Sequence, residues 1–341
     1  MKTKPFSLKI TKKDMNKSDL RIVFMGTPEF AVETLKALVD NQYNVVAVVT
    51  QPDKPVGRHQ NELQPSEVKK FALEHNLPVL QPEKMKDPDF VETLRSYQAN
   101  LQVVVAFRML PEVVWAMPQY GTFNVHAALL PQYRGAAPIN WAVINGETET
   151  GVTTFFLDHD IDTGRIIMKK HFPIPDDANV EYVYDGLMHL GAEICLDTLE
   201  AIIAADGQPK TIAQDDSSLF TLHSSLNSAP KIFKETCQIN WHQNAKKVYD
   251  FVRGLSPYPG AWTTLRDADG RDTVLKIFRT TKTAENAGVG VGTLRADRKH
   301  LYIACDDCWL QVDELQMAGK KRMDAQAFLN GMKDIENYSV V

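Results

Sequence analysis

The run from Leu20 to Thr50 constrains the fold of this chain more than any other stretch. Leu20 to Met25 is short and almost wholly apolar, as a strand buried on both faces is. Gly26-Thr27-Pro28-Glu29-Phe30 then turns the chain, with proline at the first helical position, where its missing N–H is not needed. A helix is predicted over residues 31 to 40 and a second apolar strand over 45 to 50. Strand, turn, helix and strand in this order predict an α/β fold, a Rossmann-like, doubly wound parallel sheet. The turn lacks the Gly-x-Gly-x-x-Gly spacing that lets a pyrophosphate approach the backbone, so a dinucleotide is not expected.

The alternation continues downstream. Helices are predicted over 66 to 75 and 89 to 97, a brief strand at Val79-Leu80, a buried strand from Leu101 to Val105 and a short helix from Pro111 to Met117. Residues 180 to 205 carry Val183, Leu187, Leu190, Ile194, Leu199 and Ile203 at helical spacing, a core-facing stripe. Phe172-Pro173-Ile174-Pro175 is expected at a sheet edge, where proline is tolerated. The polar segment from Gln208 to Pro230, with its serines and asparagines, is expected to be a linker. Beyond Ile239 the pattern changes to one helix, 243 to 255, and short strands over 274–280, 292–295, 301–305 and 309–315, separated by Asp and Gly turns. Short strands closing on themselves predict a smaller, OB-like β-barrel. The expected plan is therefore a disordered extension over 1–19, a catalytic domain over 20–207, a linker over 208–230 and a barrel domain over 231–341.

A chain of 341 residues, 44% hydrophobic and 24% charged, is ordinary globular material with room for two domains. No apolar run approaches the about 20 residues that span a bilayer. The Lys-rich start has no apolar core of the secretory kind, so the expectation is a cytoplasmic protein, with Met15 as its true start. The net charge of −5 speaks against a nucleic-acid partner until the chain is divided. From Lys231 onward it holds 17 Lys and Arg against 14 Asp and Glu; the remainder holds 21 against 29. Of the four cysteines only Cys305 and Cys308 form a Cys-x-x-Cys. No second pair completes a four-ligand zinc site, so they are expected to be structural cysteines flanking an Asp306-Asp307 hairpin turn.

The chemistry is concentrated between Thr122 and Gly164. In the strand Thr122-Phe123-Asn124-Val125-His126, Asn124 and His126 lie two apart and share a face. An imidazole moves protons near neutral pH, and an amide can polarise a carbonyl and hold the oxyanion that develops from it. Asp162, in Asp158-His159-Asp160-Ile161-Asp162-Thr163-Gly164, supplies a carboxylate that can orient and charge-stabilise the imidazole. Without a Ser or Cys nucleophile, this set suggests direct acyl transfer to an incoming amine. The plainer reading is a His and an Asn satisfied in a strand end and an aspartate that shapes a turn. Spacing alone does not separate the two.

Asn124-Val125-His126, Leu129-Leu130-Pro131, Tyr133-Arg134-Gly135-Ala136-Ala137-Pro138 and Ile161-Asp162-Thr163-Gly164, in that order, resemble the signature of the folate-dependent formyltransferases, and within them the methionyl-tRNA formyltransferase branch. The resemblance runs over nearly the whole chain from Leu20. It implies 10-formyltetrahydrofolate as co-substrate, methionyl initiator tRNA as acceptor and no metal; a monomer is expected, though the sequence does not reveal oligomeric state. Asn124, His126 and Asp162 are its implied catalytic residues. The pterin side is implied to be held by Phe107, Arg108 and Met109 and by Ala128, Leu129, Leu130 and Pro131. Ala128 stands where the family usually has serine, which puts a hydroxyl contact there in doubt. The tRNA is implied to be gripped by Arg58 in the Pro- and Gly-rich loop after the second strand, and by the barrel's Lys320, Lys321 and Arg322. Arg58 is followed by His59-Gln60-Asn61-Glu62, not by the lysines common in the family, so fewer phosphate contacts are expected there. Two other readings stay open: a formyltransferase acting on an amino sugar or another small amine, and a non-catalytic RNA-binding protein with an inert folate-like domain.

Overall fold

The computed structural model of the chain describes residues 15–56, 62–216, 225–332 and 334–341. In chain order its first half comprises β1 (Arg21–Gly26), α1 (Glu29–Asp40), β2 (Asn44–Val49), β3 (Lys54–Val56), β4 (Glu62–Gln64), α2 (Glu67–Glu74), β5 (Val79–Leu80), α3 (Pro88–Ser96), β6 (Leu101–Val105), α4 (Glu112–Trp115), β7 (Thr122–His126), β8 (Arg134–Gly135), α5 (Pro138–Ile144), β9 (Glu149–Phe156), β10 (Ile166–Pro173) and α6 (Val180–Ala204). Seven strands form one twisted sheet in the order β10-β9-β7-β6-β1-β2-β5. The pairings from β7 through β6, β1 and β2 to β5 are parallel, and those of β7 with β9 and of β9 with β10 antiparallel. β10 is one edge, which is where its terminal Pro173 costs no ladder bond.

Apolar spacing explains the layers. α1 buries Phe30, Ala31, Leu35 and Leu38, and α6 buries Val183, Leu187, Ile194, Leu199 and Ile202, all in one core with Ile22, Phe24 and Phe123. A second core on the other face gathers Val23, Met25, Val49, Leu94 and Val104. Gly26 permits the tight first turn: a Cβ there would stand 2.6 Å from that of Ala31. The extension expected to be disordered over 1–19 is structured from Met15 onward. A 3₁₀ turn at Lys17–Asp19 is closed by a capping box on Asn16, and Met15 and Leu20 are buried in the main core. This burial orders what its polar sequence suggested was free.

The second half comprises β11 (Ser228–Ala229), α7 (Ala245–Gly254), β12 (Ala261–Arg266), β13 (Asp272–Asn286), β14 (Leu294–Ala296), β15 (Leu301–Ala304), β16 (Cys308–Met317), β17 (Met323–Asp324), α8 (Ala325–Gly331) and β18 (Ser339–Val340). The order β14-β15-β16-β13-β12-β18, with a bridge between Thr293 and Ser339, brings the sheet's ends together as a nearly closed barrel. Its core holds Val248, Leu275, Ile277, Leu301, Leu310 and Leu315. Cys305 is buried, which pushes its thiol up to about 12, and its N–H bonds Cys308 O across the turn.

The halves meet where α5 packs on α7. A Cβ on Gly254 would lie 2.5 Å from the Ile144 side chain, and Asn140 donates to Gly254 O at 2.9 Å. Arg253, nearly fully buried, bonds Asp250 at 2.8 Å and Ala178 O at 2.8 Å. The described residues of the expected linker, 208–216 and 225–230, do not simply span a gap. Ile212 bridges Ile166, and β11 pairs in parallel with β8. Among the described residues no helix is long and apolar enough to cross a membrane.

Candidate active site

β1, β2, β6 and β7 end side by side, and the residues that follow them, among them Pro28, Gln51, Ala106 and Ala127, line one cleft of about 780 Å³. A hollow beyond the carboxyl ends of parallel strands is where open α/β sheets place ligands, and this volume suits a cofactor-sized molecule. Asn124, His126 and Asp162 all line it.

Each of the three is held differently. Asn124 lies on β7 with its Oδ1 buried and without a hydrogen-bond partner, an arrangement that native interiors rarely leave standing outside a functional site. His126 ends the same strand, 6% exposed, with Nε2 2.9 Å from Tyr133 O. A carbonyl only accepts, so that nitrogen is assigned the proton, and Nδ1 is the one left facing Asp162 Oδ2 at 3.8 Å. This is an ion-pair separation and not a hydrogen bond. Asp162 sits at φ +56°, the left-handed region that aspartate tolerates better than most residues. Its Oδ2 accepts the N–H of Gly135 at 3.0 Å. The carboxylate is therefore aimed by a turn on one side and a backbone donor on the other.

The loop opposite is itself pinned. Tyr133 is buried with its hydroxyl on Glu147 at 2.5 Å; burial, and then that carboxylate, raise its pKa well above the usual phenol range, keeping the O–H a donor. Gly135, at φ +129°, lies so close to Ala229 O that a side chain would overlap it. Only glycine fits both the dihedral and the approach of β11.

Phe107, Arg108 and Met109 line the cleft. Arg108 donates to Glu83 O at 2.9 Å and to Pro82 O, its Nε is buried without a partner, and burial lowers its pKa. Ala128, Leu129, Leu130 and Pro131 lie just beyond the residues that line the cleft. After His126 the chain dives inward. Ala128 and Leu130 are fully buried, Leu130 packs with Phe155 and Ile166, and Thr153 Oγ1 bonds both Ala128 O and Leu130 N. Arg58 lies outside the described residues. Lys320, Lys321 and Arg322 are all exposed on the segment after β16, and Arg322 has a partner within the barrel. It forks onto Glu314 at 2.6 and 2.7 Å and stacks on Phe278 at 4.2 Å, so its charge is already partnered. Residues missed from sequence are Lys231, which enters the cleft wall from the start of the second half, and Gln214, which bonds Asp162 O at 2.8 Å. Only an amide in a polar run signalled the second.

Comparison with known proteins decides the family. The profile described as Formyl transferase matches residues 20–199, and that described as Formyl transferase, C-terminal domain matches 231–333. This chain belongs to the formyl transferase family. Among curated members it is 57% identical to the methionyl-tRNA formyltransferase of Parabacteroides distasonis over 327 residues, 96% of this chain and 100% of that one. It is 46% identical to the methionyl-tRNA formyltransferase of Flavobacterium johnsoniae over 313 residues, 92% and 96%. Solved structures share the fold. WlaRD, a sugar 3N-formyl transferase solved with dTDP and 5-N-formyl-THF, aligns with TM-score 0.58 at 19% identity over 89% of this chain and 99% of that one. HypX from Aquifex aeolicus, in complex with tetrahydrofolic acid, aligns with TM-score 0.57 at 20% identity over 92% and 47%.

Proposed function

We propose that the chain transfers the formyl group of 10-formyltetrahydrofolate to the α-amine of methionine esterified to initiator tRNA, in the cytoplasm and as a monomer. The observation that carries the chemistry is one cleft joining a buried amide, an imidazole and a carboxylate. The full-length likeness to methionyl-tRNA formyltransferases supports the choice of acceptor.

The acceptor amine attacks the formyl carbon as the free base. A carbon–nitrogen bond forms, the formyl C=O becomes a tetrahedral oxyanion, the carbon–N10 bond breaks, and the proton lost by the amine ends on N10. Asn124 is assigned to polarising the formyl oxygen through its amide N–H. Its Oδ1, buried at the cleft without a partner, supports a side chain with bonding capacity left for substrate. His126, with Nε2–H fixed on Tyr133 O, presents Nδ1 to the oxyanion and helps move the proton. Asp162, 3.8 Å from Nδ1, stabilises the protonated ring and accepts the amine proton, directly or through water. Phe107, Arg108 and Met109 are assigned to the pterin side, and Arg58, Lys320, Lys321 and Arg322 to the tRNA backbone.

A formylation assay offering methionyl initiator tRNA beside free amines and an amino-sugar nucleotide tests the acceptor; formylation of only the small amines overturns it. Asn124→Ala is expected to lower turnover by about 10² to 10³ with the fold kept. Wild-type-like turnover removes Asn124 from the chemistry.

A further inference from the structure

The catalytic carboxylate is not self-supporting. Its backbone is in a left-handed turn, and Gly164 beyond it is so crowded against Phe156 O that no side chain fits. What fastens this turn is Gln214, 4% exposed, from the segment between the two halves. Its Nε2 donates to Asp162 O at 2.8 Å and to Gly164 O at 2.9 Å. Its Oε1 accepts Arg134 Nε at 2.9 Å and Nη2 at 2.7 Å. The peptide of Gly135, next to Arg134, donates to the carboxylate of Asp162 at 3.0 Å. A closed circuit results: the Asp162 side chain on Gly135, the Arg134 side chain on Gln214, and Gln214 on the Asp162 backbone. Ile212 keys the segment to the sheet by two 2.8 Å backbone bonds with Ile166, fixing where Gln214 falls.

The chemistry of the position is selective. Two carbonyls require a donor and a guanidinium requires an acceptor. A neutral primary amide offers both, whereas a carboxylate only accepts and an ammonium only donates. All four hydrogen-bonding positions of Gln214 are used.

We propose that Gln214 is a positioning residue for formyl transfer, holding Asp162 at its distance from His126 by tying the two loops on either side of the carboxylate. The inference rests on the proposed role of Asp162. It is tested in the full chain with Gln214→Glu, which keeps the length and the acceptor for Arg134 but removes both donors. The expected result is a kcat lower by about 10²-fold, in line with the sensitivity of proximity effects to sub-ångström displacement, and KM values for donor and acceptor within about threefold of the unaltered chain. Combined with Asp162→Asn, the Gln214→Glu change is expected to cost less than about threefold further, because its effect passes through a carboxylate already gone. A kcat unchanged by Gln214→Glu, a loss confined to KM, or full additivity in the double variant overturns the inference while the reading of the site stands. No formylation by the unaltered chain overturns both. Should Gln214→Glu not fold, Gln214→Met, neutral and of similar length, takes its place in the same cycle.

Discussion

Asp162→Asn is the sharpest perturbation the site offers, because it removes charge and little else. Asparagine accepts the left-handed conformation held at φ +56° as readily as aspartate does, and its amide oxygen can still take the Gly135 N–H. The loss is the attraction between the carboxylate and a protonated His126. At 3.8 Å, with side-chain exposures of 13% and 6%, solvent screens this pair little. An effective dielectric of about 20 gives about 4 kcal/mol, and at about 1.4 kcal/mol per decade that is nearly 10³ in rate. Some of it is recovered when the ring stays neutral, so the expected fall is between about 10² and 10³. Single-turnover formylation, with enzyme in excess over charged acceptor, isolates the chemical step. Thermal unfolding run alongside should move by less than about 3 °C, the scale of a 1 kcal/mol change in a chain of this size. A single-turnover rate within tenfold of the unaltered chain, with unfolding unchanged, would refute the assignment of Asp162.

Three further outcomes are expected. Thr153→Val keeps the shape of a fully buried side chain but orphans Ala128 O and Leu130 N, so it should destabilise by about 2 to 5 kcal/mol in urea unfolding; a cost below about 1 kcal/mol contradicts the bonding described. Replacing Lys320 and Lys321 by alanine should weaken tRNA binding and reduce the slope of log K against log salt by about 1 for each phosphate no longer neutralised, leaving folate binding unchanged. The Asp176 carboxyl is held below its ordinary value of 3.8, first by its hydrogen bond from Lys282. A depressed folded-state pKa contributes stability above the unfolded value and loses it as pH falls through the folded one. Asp176→Asn should therefore flatten the decline in melting temperature between about pH 5 and pH 3; an unchanged decline removes Asp176 as a contributor.

Much of the fold and site is legible in the sequence because the determining signals are local. The period of a strand puts Asn124 and His126 on one face, and the apolar runs set the sheet. What the sequence leaves open depends in part on neighbours distant along the chain. Ala128 to Pro131 sit inside a recognised motif, yet their apolar character already favours the core over the cleft. Arg322 reads as one of three equivalent cations, and only the pairing of β16 with β17 brings Glu314 to it. Gln214 lies 80 residues from Arg134 in a stretch whose polarity reads as linker, and nothing in its neighbours announces which loops it meets. The short helix α8 spans only seven residues, too few for a clear helical period, although Asp324 caps its start.

The parallel pairing of β11 with β8 bears on how such a protein can be divided. A cut at residue 207 would look modular, severing the sheet half from the barrel half at a natural border. It would also amputate Gln214 and Ala229, which bond the loops that carry Asp162 and Gly135. Any exchange of barrels between relatives would have to carry the intervening strap with the sheet half, since by its bonds that strap is part of the enzyme's anvil and not of its tether.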